Sequence, residues 1–266
     1  MAGRVITVTS GKGGVGKTTF SANVSAALAA LGHKTVAVDT DVGLRNLDIV
    51  MGLENRIVFD LVDAVEGRCR VAKACIRDKR FNTLHLLPAA QTRDKSAVSP
   101  DAMKKVCTEL RTLFDMIILD SPAGIERGFE NAVAGADEVL IIATPHVSSI
   151  RDADRVIGLL EATEEKPRLR LVVNRLQPEL VRRGEMLDIS DMLEILSIEL
   201  LGIIPEDEHI VVSSNRGELA TLNAASQAGQ AYKNIARRLM GEDVPLLPLE
   251  NETGFFKRLT RMFRGH

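Results

Sequence analysis

One ten-residue stretch near the N-terminus constrains the fold of this chain more than any other feature. Residues 10–19 read SGKGGVGKTT and lie between an apolar run, residues 5–9, and an alanine-rich run, residues 20–31. Residues 11–18 match GxxxxGK[ST], a glycine-rich loop that follows a strand and opens a helix. The glycines let backbone N–H groups curl around an anion, and the helix N-terminus adds positive potential. The stretch therefore predicts a loop that binds nucleotide phosphates.

Within this loop, individual residues have predicted tasks. Lys17 is expected to reach the outer phosphates and to take part in catalysis, and the Thr18 hydroxyl is expected to hold Mg²⁺. The alternative is a glycine-rich turn in which the lysines occur by chance, but the complete match in a strand–loop–helix context favours a nucleotide site. The predicted cofactor-binding residues of the loop are Gly11, Lys12, Gly13, Gly14, Val15, Gly16, Lys17, Thr18 and Thr19.

The overall composition is that of an ordinary soluble α/β protein. The 266 residues are 45% hydrophobic and 26% charged, and the net charge of −2 gives no bulk basicity that would favour nucleic acid. Three cysteines without CxxC spacing argue against a disulfide framework or a zinc site and for a reducing cytoplasm. The first predicted strand leaves no room for a signal peptide, and no apolar run approaches the roughly 20 residues that cross a bilayer. We therefore expect a cytoplasmic protein.

Apolar strands alternate with helical segments along the chain. Strands are predicted at residues 5–9, 34–39, 83–87, 115–120, 139–143, 169–174 and 198–204. Helices are predicted at 20–31, 58–65, 100–113, 147–160, 191–196 and 224–240, the fourth capped by Ser148 or Ser149. This alternation predicts one doubly wound α/β domain with a mostly parallel sheet, as in phosphate-loop nucleotide hydrolases. We assign residues 1–240 to this domain, 241–253 to a flexible tether and 254–266 to a C-terminal amphipathic helix.

Polar residues follow several of the predicted strands, at the sheet edge where open parallel sheets bind ligands. Asp120 ends a hydrophobic strand, as the acid of a phosphate-loop protein does, and is expected to reach Mg²⁺ through water. Asp39 and Asp41 end the second strand two residues apart, so their side chains would point the same way. The alternative for such aspartates is helix capping. Together with Thr18, Asp39 and Asp120 make up the predicted metal site.

Two later loops are expected to recognise the base of the nucleotide. Asn174 and Arg175 follow one predicted strand, and Pro205 and Asp207 follow another. An Asn side chain can pair with a base edge because its amide offers both a donor and an acceptor. Asn and Pro also favour turns, so loop chemistry is the alternative interpretation.

The C-terminal residues concentrate aromatic side chains that are scarce elsewhere. The chain has no Trp and one Tyr, and three of its eight Phe lie in the last twelve residues. On a helix, the apolar residues from 255 onward share one face at i, i+4, i+7 and i+8, flanked by cations. Such a helix is typical of a membrane interface. The predicted membrane-binding residues are Phe255, Phe256, Lys257, Arg258, Leu259, Arg261, Met262 and Phe263.

The predicted helix is short, so one copy should bind a membrane weakly. Each basic residue contributes about 1 kcal/mol near an anionic surface and each buried apolar side chain about 1.5–3 kcal/mol. Isolated helices shorter than ~12 residues are marginal, which offsets much of this gain. Two copies joined in a dimer would gain by effective concentration. The alternatives are a tail that packs on its own domain and a basic helix that binds nucleic acid or a calmodulin-like partner.

A second lysine, Lys12, directly follows the first glycine of the loop. With it the loop resembles the deviant Walker A motif KGGVGKTT of the ParA/MinD family, whose members dimerise over two sandwiched ATP molecules. The resemblance extends over essentially the whole chain, through residues 41–48, 89–95, 120–124, 204–207 and the tail. Within that family, the sequence resembles the division-site ATPases most strongly.

The resemblance implies ATP and Mg²⁺ as cofactors, slow ATP hydrolysis, and an ATP-dependent homodimer in which Lys12 crosses to the partner's phosphates, like an arginine finger. It implies that Asp41 positions the attacking water and that Asp39 lies close to the metal, so Lys12, Lys17 and Asp41 are the predicted catalytic residues. It further implies cycling to an anionic membrane at the inner face of the cell, recruitment of the division inhibitor MinC there, and release by MinE.

One position departs from the family pattern, and several relatives offer other functions. His146 stands where an acid is expected, which puts the cross-subunit contact there in doubt and leaves Asp152 and Asp154 as candidates for the dimer face. Chromosome- or plasmid-partitioning and flagellar-placement ATPases are the alternative readings. Without the four positive charges of the tail the net charge falls from −2 to −6, so we expect no nucleic-acid binding. A reductase of the nitrogenase type would need paired cysteines, and a kinase would need an acceptor pocket that we do not identify.

Overall fold

The structure is a computed structural model that describes residues 2–125 and 127–247. The end of the predicted tether, 248–253, and the predicted amphipathic helix, 254–266 with all its membrane-binding residues, lie outside the described residues. In the described ranges no helix is both long enough and apolar enough to cross a membrane.

The described residues form eight strands and eleven α-helices. The strands are β1 (Arg4–Thr9), β2 (Thr35–Asp39), β3 (Ile76–Arg77), β4 (Leu84–Leu87), β5 (Met116–Asp120), β6 (Glu138–Ala143), β7 (Arg168–Leu176) and β8 (Glu199–Pro205). The helices are α1 (Lys17–Ala30), α2 (Leu47–Met51), α3 (Leu61–Val65), α4 (Val71–Ala74), α5 (Pro100–Arg111), α6 (Arg127–Val133), α7 (Val147–Glu161), α8 (Pro178–Arg182), α9 (Ile189–Leu196), α10 (Glu208–Asn215) and α11 (Gln227–Leu239).

All eight strands join one sheet in the order β3-β4-β2-β5-β1-β6-β7-β8. Every pairing is parallel except that of β3 with β4. This confirms the predicted doubly wound, mostly parallel α/β fold. The antiparallel β3 was not predicted, because a strand of two residues leaves no apolar run to recognise.

Helices cover both faces of the sheet, so its central strands are mostly apolar and are buried along almost their whole length. On one face α1 and α11 pack together, and the rings of Phe20 and Tyr232 meet edge to face at 5.9 Å. On the other face, α5, α7 and α9 bury their apolar sides against the strands. Neighbouring residues of β1 point to opposite faces, Val5 to the second and Ile6 to the first.

Most predicted helices occur close to their expected bounds, but one starts later than predicted and another has a different cap. The helix predicted for 58–65 begins only at Leu61, because Asp60 and Asp63 form a reciprocal capping box. The prediction that Ser148 or Ser149 caps α7 is wrong. The N-cap residue is His146, and the Ser149 hydroxyl accepts a hydrogen bond from the Thr144 N–H at 3.0 Å.

The first part of the predicted tether is attached to the domain. Residues 242–247 form no helix or strand, yet Arg238 donates from Nε to the Val244 carbonyl and from Nη2 to the Pro245 carbonyl, both at 2.8 Å. Leu246 and Leu247 pack against the core. The structure thus differs from a tether that is flexible from residue 241.

Because the strands are parallel, their carboxyl ends lie along one edge of the sheet and their amino ends along the other. The glycine-rich loop, Asp39, Asp120, Asn174 and Pro205 all belong to the carboxyl edge. The order of the strands reverses beside β1, which places the loop at the topological switch point where such sheets bind ligands.

Candidate nucleotide-binding site

The loop between β1 and α1 is shaped to surround an anion. Gly14 and Gly16 have φ of +78° and +97°, which is the left-handed conformation that glycine adopts without strain. Gly16 is the N-cap of α1, and no side chain caps the helix. The first-turn N–H groups are therefore left for a ligand at the positive end of the helix dipole. This loop fits the phosphates of a nucleotide.

Lys17 lies inside this loop. Its side chain is 7% exposed, and its Nζ donates to Ser10 Oγ at 2.9 Å, while Ser10 Oγ donates to the Lys12 carbonyl at 2.7 Å. Burial lowers the pKa of Lys17, and the negative charges of Asp120 and Asp41 act in the opposite direction. The ammonium therefore sits between a hydroxyl and two carboxylates, where a phosphate would give it a charged partner. Ser10 was not foreseen as a site residue.

Asp120 is placed beside Thr18, as the predicted metal site requires. Asp120 is 3% exposed, its Oδ1 accepts from Ser21 Oγ at 2.9 Å, and the Thr18 hydroxyl also hydrogen-bonds to it. Burial raises its pKa to about 6, against the opposing effect of Thr18, Ser21 and Lys17. A carboxylate next to a hydroxyl offers the hard oxygen donors that Mg²⁺ prefers. When bound here, Mg²⁺ would neutralise charge on the phosphates. Ser21, one helical turn after Lys17, was missed.

Asp39 has a different environment from that of Asp120. It is 1% exposed, its Oδ1 accepts from the Asp41 N–H at 3.0 Å, and its Oδ2 accepts from the N–H groups of Asn46 and Leu47, both at 3.1 Å. Burial raises the pKa of Asp39 to about 7, and the nearby carboxylate of Asp120 adds to the shift. The Asp39 carboxylate thus holds the loop of residues 40–47 that carries Asp41. Direct contact between Asp39 and a metal stays a prediction.

The two lysines of the loop point in different directions. Lys12 Nζ donates to Ser148 Oγ, 2.8 Å away on α7 of the same chain, and its side chain is partly exposed. A Cβ added at Gly11 would lie 2.4 Å from the Asp152 carbonyl, so α7 passes directly against the loop. His146 begins α7 with its Nδ1 3.1 Å from Thr144 Oγ1.

The residues predicted to recognise the base line one cleft beside the loop. Asn174, Arg175, Pro205 and Asp207 meet there with Gly16, Thr19, Ile204, Glu206, Ile210, Val211 and Tyr232. The structure therefore brings the four predicted residues together. The apolar wall formed by Ile210 and Val211 was missed, because no helix was predicted where α10 lies.

Two of these cleft residues also support the fold. Asn174 Nδ2 donates to the Val15 carbonyl at 2.7 Å, so the NH₂ group of its side-chain amide holds the phosphate loop. Asp207 accepts from Ser226 Oγ at 2.7 Å and from the Ala228 N–H at 3.0 Å. Burial acts to raise the pKa of Asp207, but these hydrogen bonds outweigh it and hold the pKa below the usual range. Asp207 therefore links α10 to α11, and its contact with a base stays a prediction.

The raised pKa values of Asp39 and Asp120 predict how the stability of the nucleotide-free protein depends on pH. Their folded-state pKa values, about 7 and about 6, exceed the value of 3.8 of an ordinary Asp, so the folded chain binds more protons between these limits. We expect the free energy of unfolding to fall by a few kcal/mol as pH rises from 4 to 7. Asp39→Asn should flatten this dependence in thermal unfolding, whereas Asp101→Asn, at an exposed site on α5, should not. An unchanged slope in Asp39→Asn would contradict the assignment.

Comparison with known proteins identifies the family to which this chain belongs. Residues 6–220 match the model of the CobQ/CobB/MinD/ParA nucleotide binding domain. The septum site-determining protein MinD of Bacillus subtilis is 52% identical over 263 residues, which cover 98% of each chain.

Solved structures agree with this match. The MinC:MinD cell division protein complex of Aquifex aeolicus aligns with a TM-score of 0.85 and 49% identity, over 92% of this chain and 98% of that one. The MinD of Pyrococcus horikoshii complexed with Mg-ADP aligns with a TM-score of 0.80 and 27% identity, over 91% and 99%. ATP and Mg²⁺ are therefore the cofactors. The chain belongs to the MinD proteins of the ParA/MinD family, ATPases that determine the site of the division septum.

Proposed function

We propose that this ATPase acts as a switch that dimerises on ATP, resides on the membrane as a dimer, and returns to the cytoplasm after hydrolysis. On the membrane it recruits MinC, and MinE releases it. The observation that carries the proposal is the opposite placement of the two loop lysines. Lys17 is buried within its own loop, whereas Lys12 is partly exposed beside α7.

This placement supports a division of labour between the lysines. A single ammonium inside the loop serves the phosphates bound there, and a second one on the outer side can serve the phosphates of a second copy. Only the Ser148 hydroxyl binds Lys12 Nζ within the described residues, so transfer of the ammonium to a phosphate exchanges a neutral acceptor for a charged one. We infer that Lys12 completes the partner's site and thereby couples ATP to dimerisation.

The other site residues then have separate tasks. The N–H groups of the loop and Lys17 bind the phosphates, while Thr18 and Asp120 hold Mg²⁺ and Asp41 orients the attacking water. Asp39 maintains the loop that carries Asp41, and Asn174 maintains the phosphate loop through the Val15 carbonyl. Stabilising charge with fixed donors in a buried site is how most phosphoryl-transfer enzymes gain rate.

The partners and location are proposed on different grounds. The Aquifex MinD that resembles this chain was solved together with MinC, which supports MinC as a partner here. MinE is proposed by family resemblance alone. The proposed membrane residence rests on the amphipathic pattern of residues 254–266. One such helix should bind a membrane weakly, and a dimer that presents two copies should bind more tightly.

The test is co-sedimentation of the full chain with vesicles that contain phosphatidylglycerol, in ATP and in ADP, with duplex DNA as a competing polyanion. We expect pelleting in ATP only, unaffected by DNA and lost when residues 254–266 are deleted. Pelleting that ignores the nucleotide would refute the switch, and retention on DNA in ATP would favour a partitioning ATPase.

The same experiment tests Lys12. Lys12→Ala should remain monomeric in ATP by light scattering. It should therefore no longer pellet with vesicles, because the proposed membrane binding needs a dimer. Lys105→Ala removes an exposed lysine of α5 and should behave like the unaltered protein. A Lys12→Ala chain that still dimerises in ATP would overturn the role given to Lys12.

A further inference from the structure

A second cavity, of about 390 Å³, opens at the amino edge of the sheet, opposite the nucleotide site. It lies where β1, β6 and β7 begin and α11 ends, and its size is within the range of ligand pockets. Four arginines line it, Arg4, Arg168, Arg170 and Arg238, and the two lining carboxylates are Asp137 and Glu138. ATP hydrolysis at the opposite edge does not account for this charge, and only part of it, as in Arg238, supports the fold.

Arg170 is the residue that points to a ligand. It is only 4% exposed, and its Nε donates to Glu138. Its two Nη groups donate to no acceptor within residues 2–125 and 127–247, and Nη1 lies 4.0 Å from the nearer oxygen of Glu199. A guanidinium carries five N–H donors in a planar fork that matches a phosphate. A buried cation with unused donors at a cavity favours a bound anion.

The lining carboxylates do not neutralise this charge. Glu138, which is buried, is shared between Arg170 and Arg4, so one negative charge faces two positive ones. Asp137 already receives two hydrogen bonds from Arg111, at 2.7 and 2.9 Å. The cavity therefore keeps an excess of positive charge close to Arg170.

Glu199, which lies near both Arg168 and Arg170, reduces this excess but does not remove it, since within the described part of the chain Arg4, Arg168 and Arg170 face only Glu138 and Glu199. Arg168 pairs with Glu199 at 2.6 Å on the solvent side, and the side chain of Arg168 is 59% exposed. Arg238 donates only to the carbonyls of Leu201, Val244 and Pro245. Burial lowers the pKa of Arg238, and the nearby negative charge of Asp243 opposes this shift only in part.

The cavity lies at the point where the chain leaves the folded domain. Gly241 is part of its lining, and Arg238 fixes the backbone at residues 244 and 245. Residue 254, where the predicted amphipathic helix begins, follows within thirteen residues, a span of at most about 45 Å. A membrane that holds this helix is thus within reach of the cavity.

We propose that this cavity binds a phosphate-bearing anion, supplied by the headgroup of an anionic phospholipid. Arg170 provides its two Nη groups, and Arg168 provides the donors that its pair with Glu199 leaves unused. The cavity thereby adds a headgroup-specific contact to the binding of the helix. The choice of a lipid as the source rests on the membrane cycle proposed above, whereas the anion chemistry rests on the arginines alone.

The first arm of the test measures binding of the ATP-loaded full chain to phosphatidylcholine vesicles with and without phosphatidylglycerol. Arg168→Gln and Arg170→Gln should each weaken binding to the phosphatidylglycerol vesicles about tenfold, the expected loss of a charged hydrogen bond. The matched control is Arg237→Gln, which removes an α11 arginine that pairs with Glu242 outside the cavity and should change binding less than about twofold. ATP hydrolysis without vesicles should be unchanged in all three, and thermal unfolding checks that they fold.

The second arm titrates inorganic phosphate and glycerol phosphate into the full chain in saturating Mg-ADP, which occupies the phosphate loop. Binding that Arg170→Gln abolishes and Arg237→Gln preserves supports the anion site. If that holds while vesicle binding is unaffected by the cavity variants, the lipid source is wrong. If the variants alter neither arm, the cavity proposal is wrong. If no chain binds vesicles in ATP, the membrane switch fails, and the phosphate titration still decides the cavity.

Discussion

Replacing Lys17 by Ala is expected to reduce the kcat/KM of ATP hydrolysis by about 10³-fold, the upper end of the loss seen when one preorganised charge-stabilising donor is removed. Lys17 is the buried ammonium of the loop, and within the described residues its Nζ hydrogen-bonds only to the Ser10 hydroxyl. Its charge is therefore available to phosphate oxygens whose negative charge moves during hydrolysis. Phosphate release measured over a range of Mg-ATP concentrations, with vesicles present, gives kcat/KM and so measures the effect.

Lys105→Ala is the control for Lys17→Ala, because it deletes the same side chain at an exposed position of α5. It should hydrolyse ATP at the unaltered rate. The thermal midpoint of both variants without nucleotide separates loss of function from loss of fold. Hydrolysis within about tenfold of normal in a folded Lys17→Ala protein would mean that another group carries the charge stabilisation.

Gly16→Ala should destabilise the nucleotide-free protein by about 3 kcal/mol, or roughly 10 °C in the thermal midpoint. Gly16 has φ of +97°, and a Cβ added there would lie 2.4 Å from Asn174 Nδ2. The variant thus combines the strain of a residue with a side chain in the left-handed backbone conformation with a steric overlap. Because Asn174 holds the Val15 carbonyl, its displacement should also disrupt the loop and abolish binding of a fluorescent ADP analogue.

Gly14→Ala separates these two causes. Gly14 also has a positive φ, +78°, but a Cβ there would meet nothing within 4 Å. It should therefore show only the conformational cost, about 1–2 kcal/mol, in thermal unfolding without nucleotide. Equal destabilisation by the two substitutions would mean that the overlap with Asn174 plays no part.

The fold and the phosphate loop could be predicted from the sequence because both depend on local information. The loop is defined by eight consecutive residues, and the strand before it and the helix after it are set by their own hydrophobic patterns. Asp39, Asp120, Asn174 and Pro205 could be placed at one edge of the sheet because each follows a strand, and parallel strands end together. Which side chains would meet there did not follow from this.

Elements with weak or short patterns escaped prediction for the same reason. The strand β3 has two residues, and α10 has apolar residues that face the cleft rather than a continuous apolar stripe, so neither has a distinct period. The prediction that Ser148 or Ser149 caps α7 was also wrong. The Ser149 hydroxyl accepts a hydrogen bond from the Thr144 N–H instead, and the sequence alone is compatible with either contact.

By itself, then, the sequence determined the phosphate loop, the alternation of strands and helices, and the edge of the sheet that carries the site. Only the tertiary structure decided that Asp120 faces Thr18 and Ser21 while Asp39 binds the loop of Asp41. Only the tertiary structure, likewise, brought Arg4, Glu138 and Arg170 together at the opposite edge. The physical reason is that strand order and register select the hydrogen-bond partner. They bring together residues as far apart in the chain as Ser21 and Asp120 or Arg4 and Glu138, 99 and 134 positions apart, and no local pattern encodes such a contact.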